Sequence, residues 1–124
     1  MKKRRLSSLT LVRSVMLLAG IMALLVSSAQ AQADERKVYV LPTTGVVDQI
    51  MSNYIREGID QAVAEGAVAV VIELDTPGGS LDATAEIVSA ELNARVPVMV
   101  WVGPAGSRAA SAGTFVTLAS HVAS

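Results

Sequence analysis

Two short motifs carry the residue types that could do chemistry: Asp75-Thr76-Pro77-Gly78-Gly79 and Arg108-Ala109-Ala110-Ser111-Ala112-Gly113-Thr114. Each follows an apolar run that reads as a strand and precedes a run that reads as a helix. Gly78 and Gly79 offer backbone N–H groups on a chain free to approach a substrate closely, the arrangement that holds the oxyanion formed when a nucleophile attacks an acyl carbon. Ser111 offers a hydroxyl at a helix start. Ala109-x-Ser111-x-Gly113 is similar to the G-x-S-x-G nucleophile turn with alanine at its first position. The Ala112 N–H would face the same oxyanion as Gly78 or Gly79, and the helix dipole favours negative charge there. Taken singly, each motif also has a plainer reading. Pro77-Gly78-Gly79 suits a strand-to-helix turn, and Ser111 suits a helix cap.

Acyl transfer by Ser111 requires a base, and the chain offers two candidates poorly placed for it. His121 is the single histidine, ten residues beyond Ser111. One continuous helix would separate the two by ~15 Å at ~1.5 Å per residue, too far for a hydrogen bond. Lys37 is expected at the amino end of the first strand, the opposite edge of a parallel sheet from Ser111. Asp75 is expected to orient its loop or cap the following helix. No general base is therefore assigned within the chain, and no metal or cofactor site is read from it. With no cysteine, thiolate zinc sites, disulfides and a cysteine nucleophile are excluded.

The elements that must position these motifs can be read from periodicity. Val38 to Leu41 is a short strand, expected to end at Pro42. Asp48 to Glu65 reads as a helix, with Met51, Tyr54, Ile55, Ile59, Ala62 and Val63 on one stripe and Gly66 ending it. Ala67 to Leu74 is a continuous apolar run with one acid, the pattern of a strand covered on both faces. Ser80 to Asn93 is a second helix, capped by Ser80 or Asp82, with Leu81, Ala85, Val88 and Leu92 along its apolar side. Val96 to Val102 is another buried-type strand. A third helix starts at Ala109 or Ser111 and runs to Leu118, and His121 to Ser124 starts a further strand. Strands alternating with helices predict an α/β fold of parallel βαβ units. Both motifs then lie at the carboxyl ends of neighbouring strands, where open α/β sheets place their ligand sites.

Charge is divided unevenly along the 124 residues. Residues 1–33 carry five basic residues and no acid; residues 34–124 carry five basic and all eleven acidic residues, a net charge of −6. Lys2 to Arg13 form a basic segment, Val15 to Val26 an apolar stretch of twelve residues, and Ser27 to Ala33 a small-residue segment with Ala-x-Ala endings at Ala31 and Ala33. Those three parts make a secretory signal peptide over residues 1–33. The apolar stretch is shorter than the ~20 residues of a spanning helix. Residues 34–124 are then an exported domain, and their acidity argues against a nucleic-acid partner.

Taken together, Val70-Val71-Ile72-Glu73-Leu74-Asp75-Thr76-Pro77-Gly78-Gly79-Ser80, then Gly106 to Thr114, then Ala119-Ser120-His121-Val122-Ala123 resemble the NfeD-type membrane-bound serine proteases. These belong to the Clp-protease/crotonase fold superfamily, alongside signal peptide peptidase A. The resemblance spans roughly residues 37–124. It implies a Ser–Lys dyad with Ser111 as nucleophile and an oxyanion hole of Gly78 or Gly79 with the Ala112 N–H. The family lysine lies a few tens of residues beyond the serine, past Ser124. The chain is therefore expected to be the N-terminal part of the protease domain and inactive alone. The resemblance also implies a full-length form that is membrane-associated, outside the cytoplasm and homo-oligomeric. Its substrates would be hydrophobic segments of proteins, among them stomatin-like membrane proteins. Two other functions fit the same fold: a crotonase-like acyl-CoA enzyme, which an export signal disfavours because CoA is intracellular, and a non-catalytic module that binds stomatin-like partners.

Overall fold

The computed structural model describes residues 8–29 and 36–124, and the chain divides into two compact units, 1–35 and 36–124. The first unit contributes helix α1, Ser8–Ala29, on which Leu11 to Met22 are exposed. No helix among the described residues is long and apolar enough to cross a membrane. Lys2 to Arg5 and Gln30 to Ala33, which mark the two ends of the expected signal, lie outside the described residues.

The second unit is a parallel sheet backed by helices. Its elements run β1 (Val38–Thr44), α2 (Gln49–Ala64), β2 (Ala69–Asp75), α3 (Leu81–Leu92), β3 (Val98–Val102), α4 (Ala112–Ala119) and β4 (Val122–Ala123). The four strands pair in chain order, all parallel, as consecutive βαβ units require. Helix α2 lies against β1 and β2, α4 against β3, and α3 bridges α2 and α4. The core fills the space between sheet and helices. Ile55, Ile72, Leu74, Ile87, Val98 and Val100 are wholly buried there, each worth about 1.5–3 kcal/mol of transfer from water.

Three expectations are corrected. Strand β1 does not stop at Pro42 but continues to Thr44, with Pro42 opposite Glu73. It is an edge strand, where a residue without an N–H leaves no ladder bond unmade. Second, β2 is fully covered on one face and half-covered on the other. Val70, Ile72 and Leu74 are buried while the alternate residues are half-buried, and β1 repeats the pattern with Val38 and Val40 exposed. Third, α3 turns a different face inward. It buries Ala83, Thr84, Ile87 and Glu91, leaving Leu81 at 78% and Leu92 at 63% exposure. Ala83 and Ala90 let the helix close on the core beside Ile87, where leucines would hold it apart.

Helices α2 and α3 are joined by a polar cluster. Glu86 Oε2 accepts from Ser52 Oγ and Gln49 Nε2, both at 2.8 Å, and lies 3.6 Å from Arg56. Those hydrogen bonds, first from Ser52, hold the Glu86 carboxyl below its ordinary range. Glu91 is the opposite case. It is fully buried, and neither carboxylate oxygen has a partner. Loss of hydration pushes its pKa from 4.5 to about 8. The folded protein therefore keeps Glu91 protonated at neutral pH, while the unfolded chain ionises above its ordinary pKa. Stability is unaffected below pH 4.5, falls as pH rises from there to about 8, and levels off beyond. At pH 7 the penalty is about 3 kcal/mol at ~1.4 kcal/mol per pKa unit. Replacing Glu91→Leu is expected to raise the thermal midpoint at pH 7.5 and to flatten its decline between pH 5 and 8. Circular-dichroism melts at both pH values check this; an unchanged slope in the variant would place the titrating group elsewhere.

Candidate active site

Strand β2 ends at Asp75, and the next four residues form a turn held from both flanks. On the β1 side, the Gly45 N–H donates to Asp75 O at 2.9 Å, the Val47 N–H to Gly78 O at 3.0 Å, and the Ser80 N–H to Val47 O at 2.8 Å. On the β3 side, the Thr76 N–H donates to Arg108 O at 2.7 Å and the Ala110 N–H to Thr76 O at 3.0 Å. Asp75 Oδ1 accepts the Arg108 N–H at 3.1 Å, so this carboxylate orients the loop rather than capping the helix. Ser80 caps α3 by accepting the Ala83 N–H. The two sequence motifs thus form one structure at the carboxyl edge of the sheet, joined through Thr76 and Ala109.

Glycine is required twice here. Gly78 has φ +107°, and a Cβ on it would lie 2.7 Å from Ser111 Cβ and 3.1 Å from Ser111 Oγ. Gly79 lies so close to Val47 that a Cβ would overlap the Val47 carbonyl. Ser111 occupies the position before α4 with φ 51° and ψ −114°, the one non-glycine residue at positive φ among those described. Its side chain makes no capping hydrogen bond and is exposed. The helix-cap reading of this serine therefore fails. The strained turn, worth about 1–3 kcal/mol, presents an uncommitted hydroxyl beside Gly78.

The backbone donors around that hydroxyl differ. The Gly78 N–H is given to Thr76 Oγ1 at 3.0 Å, a wholly buried hydroxyl. Among the described residues, the Gly79 and Ala112 N–H groups have no intrachain acceptor. Bonds from Val47 N–H to Gly78 O and from Ser80 N–H to Val47 O bracket Gly79, so the N–H and C=O of Gly79 itself point away from Val47. Thr76 and Val47 were not singled out from the sequence. A β-branched residue between a strand and Pro-Gly-Gly was the signal available for Thr76; nothing local distinguishes Val47.

Neither candidate base reaches this edge. The His121 N–H donates to Val98 O at 2.9 Å, and its Nδ1 accepts the Val98 N–H at 3.2 Å. That places His121 at the start of β3, whereas Ser111 follows its end, about 13 Å further along at ~3.3 Å per residue. Lys37 precedes β1, its carbonyl accepting the Val68 N–H at the same far edge. Among the described residues no group of His, Asp or Glu could hold a metal ion.

The sequence profile of the NfeD1b N-terminal domain matches residues 37–123. The chain belongs to the NfeD1b N-terminal-domain family. Two curated relatives place it further. It is 40% identical over 85 residues to the membrane-bound protease PH1510 of Pyrococcus horikoshii and 26% identical over 111 residues to the membrane protein NfeD1b of Bacillus subtilis. Those matches take in 68% and 89% of this chain but 19% and 25% of the relatives. This NfeD1b-type domain also resembles solved structures of 1510-N, the membrane-bound stomatin-specific protease. A serine-to-alanine mutant superposes with a TM-score of 0.68 at 38% identity, covering 69% of this chain and 42% of that one. A lysine-to-alanine mutant in complex with a substrate peptide gives 0.71 at 38% identity, covering 73% and 41%. ClpP1 of Listeria monocytogenes, 20% identical with a TM-score of 0.56 over 65% of this chain and 46% of its own, shares the fold. The domain is thus a ClpP-like α/β protease fold.

Three substitutions read the strain and close contacts in this NfeD1b-type turn. Ser111→Gly is expected to stabilise by about 1 kcal/mol, as glycine accepts positive φ without a Cβ penalty, and Ser111→Ala is expected to keep the strain. Gly79→Ala is expected to destabilise by about 1–3 kcal/mol through the clash with Val47. Urea denaturation of the three variants reads these signs directly.

Proposed function

We propose that this chain forms the nucleophile-bearing part of a serine endopeptidase that acts without ATP on hydrophobic segments of proteins. The observation that carries the reading is Ser111 on its positive-φ turn, hydroxyl uncommitted, against Gly78. Ser111 Oγ attacks the peptide carbonyl. The resulting oxyanion is held by the Ala112 N–H, at the start of α4, together with Gly79 or Gly78. Gly79 has its N–H available; Gly78 would take part by releasing or sharing its bond to Thr76 Oγ1.

The general base is a lysine outside these 124 residues. His121 and Lys37 lie at the other edge of the sheet, and a lysine acts as a base at neutral pH once burial has lowered its pKa. It takes the Ser111 proton and returns it to the leaving amine. On this reading the chain by itself is inactive and becomes competent within a larger, oligomeric, membrane-associated protein outside the cytoplasm. The naming of its relatives supports a peptide substrate, with stomatin-like membrane proteins as the first to try.

Cleavage of fluorogenic apolar peptides tests the proposal. The 124-residue chain is expected to show none, and a longer form carrying the lysine is expected to lose about 10³-fold or more of its kcat on Ser111→Ala. Activity that survives this substitution would remove Ser111 from the mechanism. Saturable CoA binding in a titration would instead favour an acyl-CoA enzyme.

A further inference from the structure

Strand β2 buries Val70, Ile72 and Leu74 wholly on its helix-covered face. Alternation puts Thr76 next in that row, and it too is wholly buried. A hydroxyl beside aliphatic side chains loses its hydration there, and valine would pack as well without that cost. Such a group needs a hydrogen bond, and here the bond is specific: Thr76 Oγ1 accepts the Gly78 N–H at 3.0 Å. The methyl group of the same side chain lies against the first turn of α4, where a Cβ on Gly113 would come within 2.5 Å of Thr76 Cγ2. The Thr76 backbone is committed as well, donating to Arg108 O and accepting the Ala110 N–H. One buried residue thus touches the donor turn, the nucleophile turn and the helix that follows the nucleophile.

Gly78 is where these contacts bear on the chemistry. A glycine at φ +107° offers little resistance of its own to rotation, and the two peptide groups flanking it are held separately. The Pro77–Gly78 peptide is held by its N–H, on Thr76 Oγ1. The Gly78–Gly79 peptide is held by its carbonyl, which accepts the Val47 N–H at 3.0 Å. A peptide group is planar and trans, so the Gly79 N–H points opposite to that carbonyl. Its direction therefore depends on both ties: Val47 fixes one plane, and Thr76 fixes the plane before it. The Ser111 side chain lies against Gly78, its Oγ 3.1 Å from where a Gly78 Cβ would stand. Rotation at Gly78 would move the donor relative to the nucleophile. We propose that Thr76 is a positioning residue of the acyl-transfer site, whose hydroxyl reserves the Gly78 N–H and thereby aims the Gly79 N–H at the oxyanion formed when Ser111 attacks. The proposal rests on the peptidase reading of Ser111 and adds the group that orients its oxyanion donor.

Kinetics of the longer, lysine-bearing form on fluorogenic apolar peptides test it. Thr76→Val keeps the shape and the methyl contact and removes the hydroxyl. It is expected to lower kcat about 10- to 100-fold with KM changed less than about threefold, the mark of an interaction used in the transition state. Thr76→Ser keeps the hydroxyl and is expected to retain kcat within about threefold. Thr76→Ser and Thr76→Ala differ by the hydroxyl alone, and they carry the same comparison where the valine variant does not fold. In the 124-residue chain, the Gly78 amide is expected to exchange with deuterium about tenfold faster in Thr76→Val than in Thr76→Ser, read by NMR. Unchanged kcat in Thr76→Val, or equal exchange at Gly78, would overturn the positioning role; loss of cleavage on Ser111→Ala would still leave the peptidase reading standing. A kcat that rises in Thr76→Val would overturn it too, because the freed Gly78 N–H would then be the donor. Cleavage that survives Ser111→Ala would overturn both.

Discussion

The Thr76–Gly79 turn is suspended between its two neighbours, and the geometry of the site depends on that suspension. Backbone hydrogen bonds from Gly45, Val47 and Ser80 tie it to the β1 side, and bonds with Arg108 and Ala110 tie it to the β3 side. A turn held on one flank could swing; one held on both has a single position. Gly79 permits the close approach on the first side, and Gly78 permits it on the second, where the next atoms are those of Ser111. The nucleophile turn and the donor turn are thereby parts of one laced structure. Their relative position is set by the spacing of adjacent parallel strands rather than by side-chain packing.

That arrangement separates the chemistry from the ordinary business of folding. The helical face of the sheet carries the core, while the strained residue, the exposed hydroxyl and the glycines collect at the carboxyl edge. The opposite sheet face is apolar across the strands. Val40, Val71, Met99 and Val122 stand in register in one row, with Val38 and Trp101 nearby. The second flank of strands that read as doubly covered is thus half-buried. The amino-acid pattern records what a strand can tolerate against it, and burial records what is there.

Glu91 and α3 show how a one-dimensional reading loses a face. Leu81, Ala85, Val88 and Leu92 repeat at helical spacing and make the more hydrophobic stripe, yet the helix buries Ala83, Thr84, Ile87 and Glu91, a stripe that includes a carboxylate. Periodicity ranks faces by hydropathy, whereas packing ranks them by fit. The face that fits against the core is the one carrying Ala83 and Ile87, and Glu91 is carried inward with it, neutralised by its raised pKa. Pro42 errs in the other direction. Proline ends strands in general, but an edge position costs it nothing, and whether β1 lies at the edge is a property of the sheet.

The sequence by itself determined the alternation of strand and helix, the parallel α/β class, the two motifs and their family. These follow from local periodicity, from turn chemistry and from residue types at fixed spacing, all of which are written along the chain. Tertiary structure decided the rest: that the Ser111 hydroxyl is free and its backbone strained, that the Gly78 N–H is bonded to Thr76, and that His121 and Lys37 stand at the far edge. Each of those facts depends on which backbone segments meet across the sheet. Residues far apart in the chain become neighbours only when strands pair, and no local pattern carries that distance.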